Sequence, residues 1–177
     1  MIHYSKQNRV SEEVYHSTLE TFGLSIKEIR DLIDLADINQ SKKIRFCAHQ
    51  SREDQVHQMF IVHPVRTYVR PHKHHAKSES ILILEGDVDY VTFDSQGSLE
   101  EVTPMGNYTS GKTFYHAIAP DIFHTLLISS KWLVFLEITK GPFVEEDTVY
   151  AQWSPDSTDK RRVDGYLERL TRLIGAL

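Results

Sequence analysis

Cysteine is nearly absent from this chain, and so are long apolar runs. Cys47 is the only cysteine among 177 residues, so no disulfide can form within the chain. No segment approaches the roughly 18 consecutive apolar residues of a membrane-spanning helix. The opening "MIHYSKQNRVSEEVYHS" lacks the apolar core of a signal peptide. These absences predict a cytoplasmic protein without a membrane partner.

An excess of basic charge is also missing. The 20 Lys and Arg residues are outnumbered by 25 Asp and Glu residues, and the isoelectric point is about 6.0. Proteins that bind nucleic acids usually present a concentrated basic surface. Acidic residues surround the basic clusters "SKKIR" and "DKRR", so we interpret both clusters as solvated surfaces. The sequence therefore predicts no nucleic-acid partner.

The chain is long enough for one domain with a well-formed core. The spacing of its apolar residues changes twice along the sequence. Residues 1–43 form a helical N-terminal extension, in which Ser25 and Glu28 have the spacing of a capping box. Residues 44–155 alternate short apolar runs with turn residues, a pattern that predicts roughly eight strands and an all-β sandwich, barrel or jelly roll. The predicted strands are "QMFIV", "RTYVR", "SILILEG", "VDYVTFD", "KTFYHAIAP", "FHTLLIS", "WLVFLEI" and "TVYAQW".

Residues 156–177 return to helical spacing and predict an amphipathic C-terminal helix. Such a helix must cover its apolar stripe. Two alternatives are open: the stripe packs on the chain's own β-domain, or it packs across a homodimer. The stripe consists of Val163, Tyr166, Leu167, Leu170, Leu173 and Ile174.

Three of the ten histidines fall within four residues, in "RPHKHHAKSESILILEG". On an extended strand His72 and His74 point to the same face, whereas His75 points away. Glu79 opens the next strand and can lie beside them, and Gly86 permits a tight turn after it. The motif has the form H-x-H-x4-E-x6-G.

A further histidine, His124, begins an apolar strand in "APDIFHTLLIS". It shares the inward parity of Ile122 and Leu126. Polar side chains that face a core are costly unless they are hydrogen-bonded or coordinated. Three imidazoles and one carboxylate suit a single divalent transition metal, namely Fe, Mn, Ni, Zn or Co.

The first motif resembles the first signature of the cupin superfamily. Those proteins are jelly-roll β-barrels in which two motifs supply three His and one Glu to a metal. The second signature ordinarily reads P-x-G-x-x-H, and "APDIFH" departs from it because Asp121 stands where the glycine would be. The resemblance implies a cupin jelly-roll barrel with His72, His74, Glu79 and His124 as metal ligands.

Residues 44–155 are similar, more narrowly, to WbuC-type cupin-fold metalloproteins. This resemblance implies a role in bacterial O-antigen, and thus lipopolysaccharide, biosynthesis, but no defined reaction. Cys47, His49 and His57 match a C-x-H…H pattern of that family without an assigned role. The similar blocks are "RFCAHQSREDQVHQMFIV", "YVRPHKHHAKSES", "VTFDSQG", "LVFLEITKGPF" and "YAQWSP".

Several further residues are candidates for the pocket. Counting back by twos from His72 places Arg70 and Tyr68 on the same face. The Arg70 guanidinium would bind a carboxylate or phosphate of a ligand, or else pair with Glu79 or Glu137. Lys77 is a further candidate for substrate contact. The candidate catalytic bases are His116, Tyr115 and a non-ligating His49.

Three functions fit these residues. The first is a metal-dependent enzyme, of the isomerase or epimerase kind, acting on a small anionic or polyol metabolite such as a sugar or sugar nucleotide. The second is an Fe(II) dioxygenase. The third is a ligand-binding or regulatory cupin without turnover, although no helix-turn-helix is apparent in the sequence.

Overall fold

The computed structural model describes residues 9–21 and 23–176. Residues 1–8 of the predicted N-terminal extension lie outside this range. The described residues form eleven strands, two α-helices and one short 3-10 turn. In chain order the helices and strands are β1 (Val14–His16), α1 (Ile26–Ile38), β2 (Ile44–Cys47), β3 (Val56–Pro64), β4 (His72–His74), β5 (Glu79–Glu85), β6 (Asp87–Phe93), β7 (Leu99–Gly106), β8 (Tyr115–Ile118), β9 (Phe123–Ile128), β10 (Trp132–Lys140), β11 (Thr148–Tyr150) and α2 (Lys160–Ile174).

The strands form two sheets that face each other. One has the order β1-β2-β3-β10-β5-β8, and the other has the order β11-β4-β9-β6-β7. The main core lies between them and includes Ile81, Ile83, Tyr90, Leu126 and Phe135. This architecture confirms the predicted all-β jelly roll with helical additions. The two sheets are open at their edges, so this jelly roll is a two-sheet sandwich and not a closed barrel.

Helix α1 covers the outer face of the six-stranded sheet. The capping box is present at its start, where the Ser25 amide donates to Glu28 Oε2 at 2.9 Å. Leu32 and Ala36 are buried against Val62 and other outward side chains of that sheet. Alternate residues of the sheet therefore serve two cores, one on each face.

Helix α2 covers the outer face of the five-stranded sheet in the same way. Val163, Leu167 and Leu170 are buried, and Leu170 packs against Val91 and Phe93. The chain's own sheet therefore covers most of the stripe, which is the first of the two alternatives. The homodimer stays a prediction. Neither helix of the described residues is long and apolar enough to cross a membrane.

Several elements differ from the sequence-based expectation. The run "RTYVR" is irregular instead of a strand, because Arg66 adopts a left-handed φ of 60° and Pro71 interrupts the alternation. Strand β7 was not predicted, because Glu100, Glu101 and Pro104 are unusual in strands. The structure tolerates them because β7 lies at the edge of its sheet. The N-terminal extension is not purely helical, since β1 pairs in parallel with β2.

Gly86 is required at the turn that joins β5 to β6. Its φ is +94°, and an added Cβ would lie 2.2 Å from the Trp132 carbonyl oxygen. Both the backbone conformation and the close approach exclude a side chain here. The glycine of the first motif thus has the turn role predicted for it.

Candidate metal centre

Four predicted ligands from three strands meet between the two sheets. His72 and His74 lie on β4, and His124 lies on β9, directly opposite His72 in the antiparallel pair. Glu79 begins β5 in the facing sheet. One ligand atom from each residue lies within 4.8 Å of those of the other three. Segments more than forty residues apart thus supply one compact donor set.

The Glu79 carboxylate lies close to the imidazoles of His74 and His124. Glu79 Oε2 is 2.9 Å from His74 Nε2, and Glu79 Oε1 is 3.7 Å from His124 Nε2. The ring centroids of His72 and His124 are 4.5 Å apart, and those of His72 and His74 are 4.9 Å apart. His124 and Glu79 are only 3% and 6% exposed. These groups are therefore brought together in a buried setting.

The His72 and His124 rings are each oriented by a contact between Nδ1 and a backbone carbonyl oxygen. The Nδ1 atom of His72 is 2.8 Å from the Arg70 carbonyl oxygen, and that of His124 is 3.0 Å from the Ile122 carbonyl oxygen. Metal-bound histidines are typically held in this way, because a backbone acceptor fixes the tautomer and leaves Nε2 free. His124 Nε2 is buried without a hydrogen bond among the described residues. A divalent cation would satisfy that atom, so the donor set fits a metal.

The charges of the site also suit a cation. Burial, and then the neighbouring His124, lower the pKa of His72 to about 4. Burial likewise lowers the pKa of His124. Burial opposes the charge on His74, but its hydrogen bond to Glu79 and the charge of that carboxylate outweigh burial and raise its pKa. Burial favours neutral Glu79, yet the hydrogen bond from His74 and the electrostatic interaction with the neighbouring imidazoles lower its pKa. The site therefore holds an ionised carboxylate and two neutral imidazoles at neutral pH.

The four residues lie in the wall of a cavity of about 600 Å³. Its lining is rich in side chains of both charge signs. Besides the four, the charged residues of the wall include Arg45, Arg52, Arg70, Lys77 and Glu137. A cavity of this size and polarity admits a small charged metabolite.

Glu137, on β10, is a further carboxylate of the site, which the sequence analysis considered only as an ion-pair partner of Arg70. Its partner in β5 is Ile81, while Thr139 pairs with Glu79, so the two carboxylates are diagonal neighbours on one face of the sheet. Burial, and then the charge of Glu79, raise the pKa of Glu137 to about 7. The signal was available, because Glu137 shares the inward parity of Phe135 within "LVFLEITK".

Arg45 was missed, because it belongs to the cluster "SKKIR" that reads as a solvated surface. Arg45 is opposite Ile61 in the sheet and thus on the inward face, although its side chain is exposed at the cavity. It alternates with the buried residues Ile44 and Phe46. That alternation was the signal that could have placed it in the cavity wall.

The predicted substrate-contact residues all line the cavity, but each has a protein partner. Arg70 forms an ion pair with Asp156 at 2.8 Å, instead of the expected alternative of Glu79 or Glu137. Tyr68 donates to the Pro155 carbonyl oxygen at 2.9 Å. Both side chains thus anchor the segment that follows β11. Lys77 pairs with Asp147 at 2.6 Å, again beside the cavity.

The three candidate bases lie elsewhere. Among the described residues that line the cavity, none is Tyr115, His116 or His49. Tyr115 is 51% exposed on β8, an edge strand. The His116 ring stacks on Tyr90 at 4.3 Å, and Tyr90 stacks on His124 at 5.5 Å, so the phenol separates the two imidazoles. Tyr115 and His116 therefore do not reach the metal centre, although both lie close to the second motif in sequence.

Asp121 stands where the second cupin signature has a glycine, and it adopts the backbone conformation that the glycine would have. It adopts a φ of +65°, the left-handed conformation that a glycine would favour at this turn. Asp tolerates this region better than most residues because its short side chain can bond locally. Asp121 Oδ1 is 3.2 Å from His75 Nδ1 and 3.6 Å from Lys73 Nζ. The turn that presents His124 is thus kept without the glycine.

Comparisons with known proteins bear on the fold. Residues 24–105 match the family model described as "Domain of unknown function (DUF6016)". No curated protein sequence matches the chain. Protein SO0799 from Shewanella oneidensis has a TM-score of 0.53 at 9% identity, over 68% of this chain and 82% of that one.

Two other solved structures have lower scores. An uncharacterized conserved protein with a double-stranded beta-helix domain from Klebsiella pneumoniae has a TM-score of 0.49 at 10% identity, over 64% of this chain and 83% of that one. Oxalate decarboxylase from Bacillus subtilis has a TM-score of 0.44 at 15% identity, over 55% of this chain. This chain matches only 24% of the oxalate decarboxylase chain. At such identities the likeness concerns the fold alone. The narrower likeness to WbuC-type proteins stays a prediction.

Proposed function

We propose that this chain is a metal-dependent enzyme that moves a proton on a small anionic, oxygen-rich metabolite, in the manner of an isomerase or epimerase. The observation that carries the proposal is the convergence of His72, His74, Glu79 and His124 on the wall of a charged cavity. Glu137 stands beside this set without belonging to it.

The donor set indicates which ions the site would hold. Imidazole and carboxylate ligands suit Fe, Mn, Ni, Zn or Co. When bound, such an ion supplies a Lewis acid that polarises a substrate oxygen. The four ligands leave further coordination positions open in an octahedral shell, so the metabolite has room beside the ion.

Glu137 is the candidate base. Within the described residues its carboxylate has no hydrogen bond or ion pair, although it lines the cavity. A carboxyl group whose pKa is about 7 accepts and returns protons readily near neutral pH. A cation bound at Glu79 would offset that residue's charge and favour the ionised form of Glu137, which is the form a base requires.

Basic side chains at the cavity favour an anionic ligand. Arg45 and Arg52 line it, and neither forms an ion pair in the part of the chain that the structure describes. Arg52 lies 4.8 Å from the centroid of the Phe143 ring, which orients its guanidinium. A planar guanidinium matches two oxygens of a carboxylate or phosphate at once. A sugar acid, sugar phosphate or sugar nucleotide has both this charge and the hydroxyl groups that a metal binds.

The resemblance to WbuC-type proteins supports a narrower version of this proposal. It favours a sugar or sugar nucleotide of bacterial surface-polysaccharide (O-antigen) biosynthesis as the metabolite. Within that class, the residues favour a substrate with a carbon acid next to a carbonyl group, because Glu137 can exchange a proton there.

The test is solvent-deuterium exchange with purified, tag-free protein loaded separately with each of the five metals. The panel comprises hexoses, hexose phosphates, hexuronic acids and nucleoside diphosphate hexoses, followed by NMR. We expect one member to gain deuterium at carbon. Glu137→Gln should lower that rate by about 100-fold or more while metal content is kept. Glu100→Gln, on the exposed part of β7, is the matched control and should exchange at the wild-type rate.

Two outcomes would contradict the proposal. Oxygen consumption by the iron-loaded protein without exchange would indicate a dioxygenase. Saturable binding of a panel member without any exchange or turnover would indicate a ligand-binding protein. Loss of metal from His72→Ala and His124→Ala, measured by elemental analysis, checks the site itself independently of the reaction.

A further inference from the structure

A second cluster of metal-binding side chains lies where β1 joins β2. Cys47 ends β2, and His16 is its direct partner in the parallel β1 strand. His49 follows two residues after Cys47. One ligand atom from each of the three lies within 4.8 Å of the other two. None of the three belongs to the centre described above.

The two rings of this cluster are held as metal-bound histidines are. The Nδ1 atom of His16 is 3.2 Å from the His49 carbonyl oxygen, and the Nδ1 atom of His49 is 3.2 Å from the Gln58 carbonyl oxygen. The amide of Gln58 lies 3.1 Å from the same His49 nitrogen, so either tautomer can be held there. With Nδ1 protonated and donating to the carbonyl, Nε2 of each ring is left free as a ligand.

His57 supports this arrangement from the cavity side. Its ring stacks on His49 with centroids 4.1 Å apart and planes 7° from parallel. Its own Nε2 is 3.2 Å from the Arg52 carbonyl oxygen, so that nitrogen is already in use. His57 is therefore a positioning residue for His49 and not a third imidazole ligand.

We propose that His16, Cys47 and His49 form a second metal site, which takes Zn²⁺ or a comparable borderline-soft divalent ion. Imidazole nitrogen and thiolate sulfur are both ligands of tetrahedral zinc, and the fourth position is left for water. The thiolate disfavours Mg²⁺, Ca²⁺ and Mn²⁺. Binding forms a metal–sulfur bond and releases the Cys47 thiol proton to solvent.

The location assigns the site a structural role. Strand β1 has three residues and lies at the edge of the six-stranded sheet. An ion held by His16, Cys47 and His49 fastens that strand to β2 and to the segment that follows it. The proposal also gives the C-x-H…H pattern a physical meaning, since Cys47 and His49 are ligands and His57 holds a ligand ring.

The experiment is titration of the metal-free full-length chain with Co²⁺, followed by absorption spectroscopy. Thiolate-to-cobalt charge transfer gives a near-ultraviolet band, and Cys47 is the only cysteine, so the band reports this site alone. We expect the band in wild-type protein and in His124→Ala, in which the first centre is impaired. It should be absent from Cys47→Ser and from Cys47→Ala. His57→Gln should weaken cobalt binding at this site by about 10-fold.

His75→Gln is the matched control, because His75 is exposed and belongs to neither cluster. It should leave the band and the cobalt affinity unchanged. Elemental analysis should find two ions in wild-type protein and one in Cys47→Ser. No charge-transfer band in wild-type protein at saturating cobalt, or equal metal content in wild type and Cys47→Ser, would overturn the proposal. The band is read in wild-type protein, so a folding defect in a variant does not change that result.

Discussion

The pKa shifts at the His72, His74, Glu79 and His124 centre predict how many protons a metal ion displaces. At pH 6, His72 is neutral because burial lowers its pKa to about 4, and burial lowers the pKa of His124 below its ordinary value as well. Glu79 is ionised because its pKa is lowered. Only His74 holds a proton, since Glu79 raises its pKa above the ordinary value of 6.5. Metal binding at pH 6 should therefore release one proton, from His74.

The magnitude follows from this count. One displaced proton means that metal affinity falls tenfold, about 1.4 kcal/mol, for each pH unit below the pKa of His74. Between about pH 6.5 and 5 the affinity should fall by about 30-fold. The dependence should steepen near pH 4, where His72 also gains a proton. Above the pKa of His74 the affinity should level off.

The assay is isothermal titration calorimetry with Co²⁺, in two buffers of different ionisation heat, so that released protons are counted directly. The double variant Cys47→Ser/Glu137→Gln is used for it. The first substitution removes the proposed second site, and the second removes a neighbouring carboxyl group that also titrates near pH 7. His75→Gln in the same background is the control and should show the same proton count.

A release of two or three protons at pH 6 would refute the reasoning, because it would mean that His72 or His124 is charged in the metal-free protein. No proton release would mean that Glu79 does not hold His74 in its charged form. In either case the hydrogen bond of 2.9 Å between His74 and Glu79 would not have the electrostatic effect assigned to it.

Three further predictions concern stability and are checked by urea unfolding. Leu167→Ala should lower the free energy of unfolding by about 2–4 kcal/mol, because Leu167 is only 6% exposed, on the buried face of α2. Gly86→Ala should lower it by about 1–3 kcal/mol or more, because its φ is +94° and the new Cβ meets the Trp132 carbonyl. Tyr90→Phe should raise it by about 1 kcal/mol, since the Tyr90 hydroxyl is buried without a hydrogen bond in the described residues. An unchanged midpoint in any of the three would contradict the packing inferred for that residue.

The metal ligands could be predicted because strand parity is a short-range property. His72 and His74 are two residues apart, so one face of one strand holds both. His124 could be placed inward from Ile122 and Leu126 alone. Parity does not say which faces meet, however, and the pairing of His72 with His124 needed the sheet order. The cupin resemblance supplied that order, since spacing alone does not.

The contacts of Arg70, Tyr68 and His116, in contrast, could not be predicted from strand parity. Counting by twos to Arg70 and Tyr68 passes through Pro71, where the alternation fails, and both side chains reach residues 154–156. His116 lies near the second motif in sequence, yet the Tyr90 ring stands between it and His124. Such contacts depend on residues far away in sequence, which periodicity does not reveal.

The His57 ring lies between the cavity of the candidate metal centre and the proposed second site at His16, Cys47 and His49. His57 lines the cavity of the first centre and stacks on His49 of the second, while its Nε2 contacts the backbone of Arg52. Arg52 also lines that cavity. An ion at the second cluster would fix His49, and through the stacked ring it would restrain His57 and the Arg52 segment. An ion at the second cluster would thereby act on the shape and charge of the cavity without contacting a substrate, which would be a physical reason for one chain to carry both clusters.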